Sequence, residues 1–295
     1  MTSIPANAPH ASFDHALIFE CAGESLLGIV SRVPGLGASA TRGVLIIVGG
    51  PQYRIGSHRQ FTLLARRLAA AGYPTMRFDY RGMGDGGGAL RTFEDAGEDI
   101  RAAIDAFQRA EPSLEEIVLW GLCDAASAAL MHGIDSPAVR GIALLNPWVR
   151  SATSLARTHV KHYYANRLTD PDLWRGVLTG RVNVLRSARE FLQSWRKGRD
   201  GSNKNEPSPA AKPPFQNAMA AGWRRFAGPV LLVISERDLT AQEFLEYTRS
   251  SDEWRGLLTQ PRVERCNLGE ADHTFSRAEW RRLVEDQTIA WLRSW

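Results

Sequence analysis

One cysteine of this chain stands in a setting suited to nucleophilic chemistry. Cys123 is the centre of the pentapeptide Gly121-Leu122-Cys123-Asp124-Ala125, which follows the apolar run 117–120 and precedes the helix-forming stretch 126–131. A nucleophile with small residues two positions away on either side, between a strand and a helix, is typical of a nucleophile elbow. The sharp turn exposes the central side chain, and the strand and helix approach too closely for larger flanking residues. The pattern therefore predicts that the Cys123 thiolate attacks an electrophilic carbon.

A cysteine nucleophile needs a base and a third group that orients the base. His273 lies between the last predicted strand and the final helix, and Asp238 follows the strand before it. The resulting chain order of nucleophile, acid and histidine agrees with the strand-turn-helix setting of the elbow. We predict Cys123 as nucleophile, His273 as base and Asp238 as the orienting acid. Asp272 and Glu236 are the alternatives for the acid.

The oxyanion that forms on attack requires backbone N–H donors. We expect one donor from Asp124, the residue after the nucleophile, and a second from the glycine-rich turn after the first parallel strand. Pro51 in that turn has no N–H group, so Gln52 is the first candidate and Gly50 the second. Tyr53 is a candidate for substrate contact.

The elements that must position these residues are short apolar strands alternating with helices, a pattern that favours a mainly parallel sheet covered on both faces. The predicted strands are residues 16–20, 26–31, 43–48, 74–79, 117–120, 141–145, 229–234 and 262–268. The first two are expected to form an antiparallel pair. The last helix is predicted over 277–295, with Trp280, Leu283, Val284 and Ile289 facing inward. The fold class is therefore α/β.

Residues 148–226 interrupt this alternation of strands and helices. The segment has a helical pattern but is broken by a stretch near 197–214 that is rich in Gly, Ser, Asn, Pro and Lys. Such a composition is typical of a flexible loop. We predict an inserted helical lid at 148–226 between two core segments, 1–147 and 227–295.

The predicted lid is strongly basic. The net charge of the chain is +4, yet residues 150–225 contain 15 Lys or Arg and 5 Asp or Glu, a net of +10. This asymmetry suggests an anionic substrate, lipid headgroup or partner, with Arg186 and Arg189 as candidate substrate contacts. The alternative interpretation is a solvated helical face.

Several other classes of protein do not fit the sequence. No apolar run reaches the roughly 18 residues of a membrane span, and the first residues lack the pattern of a secretory signal. The three cysteines form no close metal-type pair, and the glycines at 82–88 lack a dinucleotide-binding layout, so no metal or cofactor is expected. No nucleic-acid-binding pattern accompanies the basic charge. A cytoplasmic location is expected, because it would keep a catalytic thiol reduced.

The segment Asp79-Tyr80-Arg81-Gly82-Met83-Gly84-Asp85 is similar to the D-x-R-G-x-G stretch of α/β-hydrolases. With the elbow and the positions of Asp238 and His273, this resemblance covers the chain outside the predicted lid. It implies the α/β-hydrolase fold, a mostly parallel central sheet flanked by helices, with an inserted helical lid. It also implies that Asp79 and Arg81 organise the loop beside the site.

A narrower resemblance rests on two motifs. Gly-Gly-Pro-Gln-Tyr-Arg at 49–54, together with the elbow, resembles the α/β-hydrolases associated with bacterial exosortase systems, which accompany exopolysaccharide and surface-protein sorting genes. The cysteine is similar to that of dienelactone hydrolases, in which Cys, Asp and His attack an activated ester. Ala125 departs from the usual glycine of the elbow but is still small.

These observations together predict hydrolysis of an ester or thioester of a small molecule, through an acyl intermediate on Cys123. Because thiolate leaves more readily than alkoxide, activated donors such as thioesters, lactones and enol esters suit this nucleophile better than unactivated esters or amides. Acyl transfer from the same intermediate is the first alternative. A non-catalytic hydrolase-like module that binds partners through the basic segment is the second.

Overall fold

The computed structural model describes residues 13–33, 40–50, 52–150 and 214–295, and the element labels used below number the helices and strands of these ranges. The strands are β1 (Phe13–Cys21), β2 (Glu24–Arg32), β3 (Arg42–Ile47), β4 (Thr75–Phe78), β5 (Glu116–Leu122), β6 (Val139–Leu145), β7 (Val230–Ser235) and β8 (Val263–Leu268). Each overlaps a strand that the sequence predicts. The α/β class is therefore confirmed.

The eight strands form one sheet in the order β1-β2-β4-β3-β5-β6-β7-β8. β1 pairs antiparallel with β2, and β2 pairs antiparallel with β4, whereas all other neighbours are parallel. The strand order reverses between β3 and β5, and in such sheets ligands bind outside the carboxyl ends of the strands at this reversal. The turn after β3 and the elbow after β5 meet at that point.

Helices cover both faces of the sheet. They are α1 (Gln60–Ala70), α2 (Gly97–Ala110), α3 (Asp124–Ala128), α4 (Phe215–Arg225), α5 (Leu239–Ser250) and α6 (Ala278–Arg293). Along β3, Val44 and Ile46 pack into an apolar cluster with α1 and α6, while Leu45 and Ile47 pack into another with α2, α4 and α5. All four side chains are fully buried. Successive side chains of a strand point to opposite faces, and both faces are covered here, so β3 is apolar from Val44 to Ile47.

The boundary of the inserted segment differs from the predicted one. A compact unit comprises Met1–Val149 and Pro213–Trp295, and it includes α4, which the prediction assigned to the lid at 148–226. Within α4, Met219 and Trp223 are fully buried, and the Trp223 ring packs edge-on against Trp254 with centroids 5.6 Å apart. Burial of this apolar face explains why α4 belongs to the core. The other unit is Arg150–Lys212, and beyond its first residue it lies outside the described residues.

The last helix begins and ends close to the predicted bounds, and Trp280, Val284 and Ile289 pack against the apolar cluster as predicted. Leu283, expected to face inward, is 46% exposed, whereas Val284 and Trp291 are buried as one face of α6. The buried face also includes Thr288, whose hydroxyl donates to the Val284 carbonyl oxygen at 2.8 Å. Positions 284, 288 and 291 share one side of a helix, and Leu283 lies off that side. The prediction for Leu283 is wrong because the inward face includes a polar residue.

Candidate active site

Cys123 lies on a strained turn at the carboxyl end of β5. Its backbone has φ 64° and ψ −125°, a combination that residues with a side chain rarely adopt. A Cβ placed on Gly121 would lie 2.7 Å from backbone atoms of Ala125 and Ala126, so only glycine fits there without displacement. The thiol is half-buried at the amino end of α3. The strand-turn-helix geometry that the pentapeptide predicts is thus observed.

Asp238 lies directly before α5 and accepts hydrogen bonds from the first turn of that helix. Its Oδ1 accepts the Thr240 N–H at 3.1 Å, and its Oδ2 accepts the Ala241 N–H at 3.2 Å. Asp is a favoured residue at this helix-capping position. The Asp238 side chain is only 7% exposed, and its Oδ2 lies 2.6 Å from Nδ1 of His273. Because a carboxylate only accepts, Nδ1 carries the proton in this contact.

The pKa of His273 is affected by both of the groups that the sequence predicts as its partners. Burial lowers the pKa of His273, but hydrogen bonds to Asp238 and Cys123, together with the negative charges of both, raise it to about 10. An imidazole with this pKa is an imidazolium at neutral pH. The arrangement therefore places a positive charge between a buried carboxylate and the sulfur of the elbow.

The two alternative acids have other partners. The Asp272 carboxylate accepts the N–H of Ser276 at 2.9 Å and the hydroxyl of the same residue. Glu236 accepts a hydrogen bond from the Asn267 side-chain amide at 3.2 Å. Of the three candidate acids, Asp238 is therefore the one whose carboxylate contacts the His273 imidazole.

A buried polar network holds the loop of His273, and sequence analysis missed it. Asn146, fully buried after β6 with φ 43°, accepts the Ser235 N–H at 2.8 Å and donates to the Ser235 hydroxyl at 2.9 Å. Its amide also donates to the His273 carbonyl oxygen at 3.2 Å. The Ser235 hydroxyl in turn donates to the Asp272 carbonyl oxygen at 3.1 Å. The available signal was a polar residue directly after an apolar parallel strand, at the edge where the site lies.

The candidate oxyanion donors lie on either side of the strand reversal. Asp124 is the first residue of α3, and Gln52 lies in the turn after β3. The N–H of Gly50 donates to Oδ2 of Asp124 at 2.8 Å. That N–H is therefore engaged within the protein, and the N–H groups of Asp124 and Gln52 remain the predicted oxyanion donors.

Tyr53 is partly exposed, and its hydroxyl donates to Asp85. Arg54 joins this contact, since its Nη1 pairs with the buried Asp79 and lies 2.8 Å from Asp85 Oδ2. The guanidinium carbon also lies 4.4 Å from the centre of the Tyr53 ring. The hydroxyl of Tyr53 is thus engaged in a network of the protein, and its role in substrate contact remains a prediction. Sequence analysis did not single out Arg54.

The resemblance implied that Asp79 and Arg81 organise the loop beside the site. Asp79 accepts the Arg54 N–H at 2.7 Å and the Asp85 N–H at 3.2 Å. Arg81 is buried and pairs with Asp99 at 2.9 Å. Both side chains therefore bind backbone or buried charge within the protein, in keeping with an organising role.

Arg186 and Arg189, the candidate contacts for an anionic substrate, lie outside the described residues, as does the loop predicted near 197–214. Within residues 13–33, 40–50, 52–150 and 214–295, no group of three or more His, Cys, Asp or Glu side chains has the arrangement of a metal site. The helices of the same ranges include none with the length and apolar character needed to cross a bilayer.

A family profile described as the Alpha/beta hydrolase family matches residues 33–286, most of the chain. The chain belongs to the alpha/beta hydrolase family. The hydrolase interpretation is thereby confirmed at the level of the family, and so is the predicted α/β-hydrolase fold. Among curated proteins, no significant match is found.

Solved structures of esterases share the fold of this alpha/beta hydrolase. The esterase Pf2001 of Pyrococcus furiosus is 16% identical over 99% of this chain and 98% of its own, with a TM-score of 0.62. A fungal esterase of Rhizomucor miehei is 19% identical over 96% of this chain and 83% of its own, with a TM-score of 0.60. Est1E of Butyrivibrio proteoclasticus, solved with ferulic acid, is 13% identical over 94% of this chain and 98% of its own, with a TM-score of 0.61.

Proposed function

We propose that this alpha/beta hydrolase cleaves ester or thioester bonds through an acyl intermediate on Cys123, with His273 as base and Asp238 as the orienting acid. One observation carries the proposal. The imidazole of His273 lies 2.6 Å from the Asp238 carboxylate, and its pKa is raised by an interaction with the Cys123 side chain on the strained turn. A nucleophile, a base and a group that orients the base are the parts that covalent acyl transfer to an enzyme requires.

In the proposed reaction, the Cys123 proton rests on His273, and the imidazolium stabilises the thiolate by its charge. The sulfur attacks the acyl carbonyl carbon, and the new C–S bond moves an electron pair onto the carbonyl oxygen. N–H groups of Asp124 and Gln52 stabilise this oxyanion. Collapse of the adduct expels the alcohol or thiol, which takes the proton from His273. His273 then deprotonates water, which attacks the acyl-enzyme, releases the acid and restores the resting pair.

The substrate class follows from the leaving groups. In the first adduct, the Cys123 thiolate and the alkoxide of an unactivated ester compete to leave, and the thiolate leaves more readily. Thioesters and enol esters carry leaving groups that compete well with the Cys123 thiolate, and strained lactones release ring strain when they open, so each favours the acyl-enzyme. Activated acyl compounds are therefore the proposed substrates. An anionic portion would pair with the basic segment that includes Arg186 and Arg189.

The physiological setting is proposed from the narrower resemblance. The motif at 49–54 and the elbow support a role in bacterial systems that accompany exosortases and exopolysaccharide production. The cysteines at 21, 123 and 266 are free thiols, as a reducing compartment such as the cytoplasm would keep them.

Turnover of a panel of activated esters, acyl-CoA thioesters and lactones tests the proposal. Cys123→Ala and His273→Ala should abolish turnover, and Cys266→Ala, which removes another half-buried thiol, should retain it. Turnover that survives in Cys123→Ala would reject the nucleophile. Absence of turnover with every substrate class would favour the non-catalytic module. Adding alcohol or amine acceptors separates transfer from hydrolysis, because transfer diverts the acyl group away from the free acid.

A further inference from the structure

The carboxylate of Asp124 has no role in the proposed reaction, although it lies next to the nucleophile. Its Oδ2 accepts the Gly50 N–H at 2.8 Å, and its Oδ1 is buried without a hydrogen-bond partner among the described residues. Burial raises the pKa of Asp124, whereas the nearby backbone N–H groups of Gly50, Ala125 and Asp124 itself lower it by their positive partial charge. A half-satisfied buried carboxylate costs stability, so its presence calls for a compensating function.

Electrostatic stabilisation of the reaction is not that function. The reaction places negative charge first on the sulfur of Cys123 and then on the oxyanion, and a carboxylate one residue away repels both. Its charge also attracts the His273 imidazolium, but this attraction affects the pKa of Asp124 less than the backbone N–H groups do, so the main contribution that we assign to Asp124 is geometric. Its contact with Gly50 joins the elbow after β5 to the turn after β3, across the reversal of strand order.

On either side of Gln52, a carboxylate accepts a backbone N–H group. Asp124 accepts the N–H of Gly50, and Asp79 accepts the N–H of Arg54 at 2.7 Å. Gln52, the proposed second oxyanion donor, lies between these two anchors. The two contacts therefore flank the Gln52 N–H in sequence.

Gly49 shows how closely this anchor is packed. A Cβ placed on Gly49 would overlap Oδ1 of Asp124 and would lie 2.8 Å from the Leu122 carbonyl oxygen and 2.9 Å from the Ala125 nitrogen. The Asp124 carboxylate thus occupies the space that a larger residue at 49 would fill, and the backbone of the turn packs directly against the elbow.

We propose that Asp124 is a positioning residue, whose carboxylate oxygen holds the Gly50 N–H and thereby fixes the turn that presents the Gln52 N–H to the oxyanion. The proposal rests on the proposed acyl-enzyme reaction for its catalytic consequence. The contact itself is independent of that reaction. The proposed role requires a side-chain oxygen at position 124 that accepts the Gly50 N–H. It does not require a negative charge there.

Two variants separate the acceptor from the charge. Asp124→Asn keeps a carbonyl oxygen that can accept the Gly50 N–H, whereas Asp124→Ala removes it. Asp124→Ala should lower kcat roughly 10- to 100-fold with little change in KM, as expected for a misplaced oxyanion donor. Asp124→Asn should retain kcat within about threefold. Asp135→Ala, which removes an exposed acid paired with Arg225, is the matched control and should leave kcat unchanged.

Amide hydrogen exchange measured by NMR gives a readout that does not depend on turnover. The Gly50 N–H should be protected in the wild type and in Asp124→Asn, and should exchange at least tenfold faster in Asp124→Ala. Equal protection in all three proteins would overturn the inference, even if no substrate is ever turned over. If the contact is lost but kcat is unchanged or higher, the carboxylate does not position a donor, and the inference is again overturned. Equal losses of kcat in Asn and Ala would assign the effect to the charge and contradict the proposed role.

Discussion

Replacing Asp238 by Asn should lower the pKa of His273 and remove part of the pH dependence of stability. Burial lowers the pKa of His273, and its contacts with Asp238 and Cys123 raise it to about 10. Since the folded-state pKa lies above the unfolded value of about 6.5, the imidazolium contributes its full stabilisation below about pH 6.5. That stabilisation is lost as the pH rises through about 10.

The magnitude follows from the interval between the two pKa values. Each tenfold change in proton affinity corresponds to about 1.36 kcal/mol, so the interval from 6.5 to about 10 gives an upper limit of ~5 kcal/mol. The His273 side chain is 33% exposed, and solvent screening reduces this limit. We expect ~2 kcal/mol of pH-dependent stability to depend on the Asp238 charge. Asn also caps helices well, so the cap of α5 should change little.

Urea unfolding of the wild type and Asp238→Asn between pH 6 and pH 10.5 measures this effect. The difference in the free energy of unfolding should be largest near pH 6 and should shrink by ~2 kcal/mol as the pH approaches 10. An NMR titration of the His273 ring should show its pKa falling in Asp238→Asn and, separately, in Cys123→Ala. A stability difference that does not vary with pH, or a wild-type ring that titrates near 6.5, would refute the reasoning.

Three further substitutions test the supports of the site. Asn146→Ala should lower the free energy of unfolding by ~2 kcal/mol, because it leaves buried polar partners unsatisfied. It should also reduce kcat about tenfold, because the loop that carries His273 loses a hydrogen bond. Unchanged kcat in the folded variant would contradict the positioning role. Arg54→Met should cost ~3–5 kcal/mol in urea unfolding, because the fully buried Asp79 side chain loses its cation, and a loss below ~1 kcal/mol would count against this pairing. Gly121→Ala should abolish turnover and lower the Tm. The control is Gly256→Ala, because Gly256 has φ 73° but no atom within 4 Å of the added Cβ; it should cost only ~1 kcal/mol in unfolding experiments. Equal losses of stability in the two glycine variants would contradict the close packing of the elbow.

Local patterns in the sequence were sufficient for the parts of this molecule that depend on near neighbours. The eight strands follow from short apolar runs bounded by turns, and the elbow follows from five consecutive residues. The chain order of the three candidate catalytic residues then placed them at one edge of a parallel sheet. His273 and Asp238 lie 2.6 Å apart at this edge, as expected for residues that follow neighbouring strands.

The supports of the site could not be predicted because they pair residues far apart in sequence. Asn146 and Ser235 are 89 residues apart, and each reads as an ordinary polar residue after a strand. The same holds for Arg54 and Asp79, whose pairing depends on two loops that meet only in the folded sheet. Leu283 shows that an apolar side chain on a helix need not be buried. Hydrophobicity alone suggested a buried side chain, whereas the helix buries Thr288 on the face that packs inward.

The central claim is that the sulfur of Cys123 forms a covalent acyl intermediate. Rapid mixing with an activated ester or an acyl-CoA thioester, acid quenching and intact-protein mass spectrometry test it directly. The account predicts one added acyl group, located at Cys123 by peptide mapping, absent in Cys123→Ala and formed more slowly in Asp238→Asn. An acyl group at another residue, or turnover of the substrate with no acylated protein under any quench time, would contradict it.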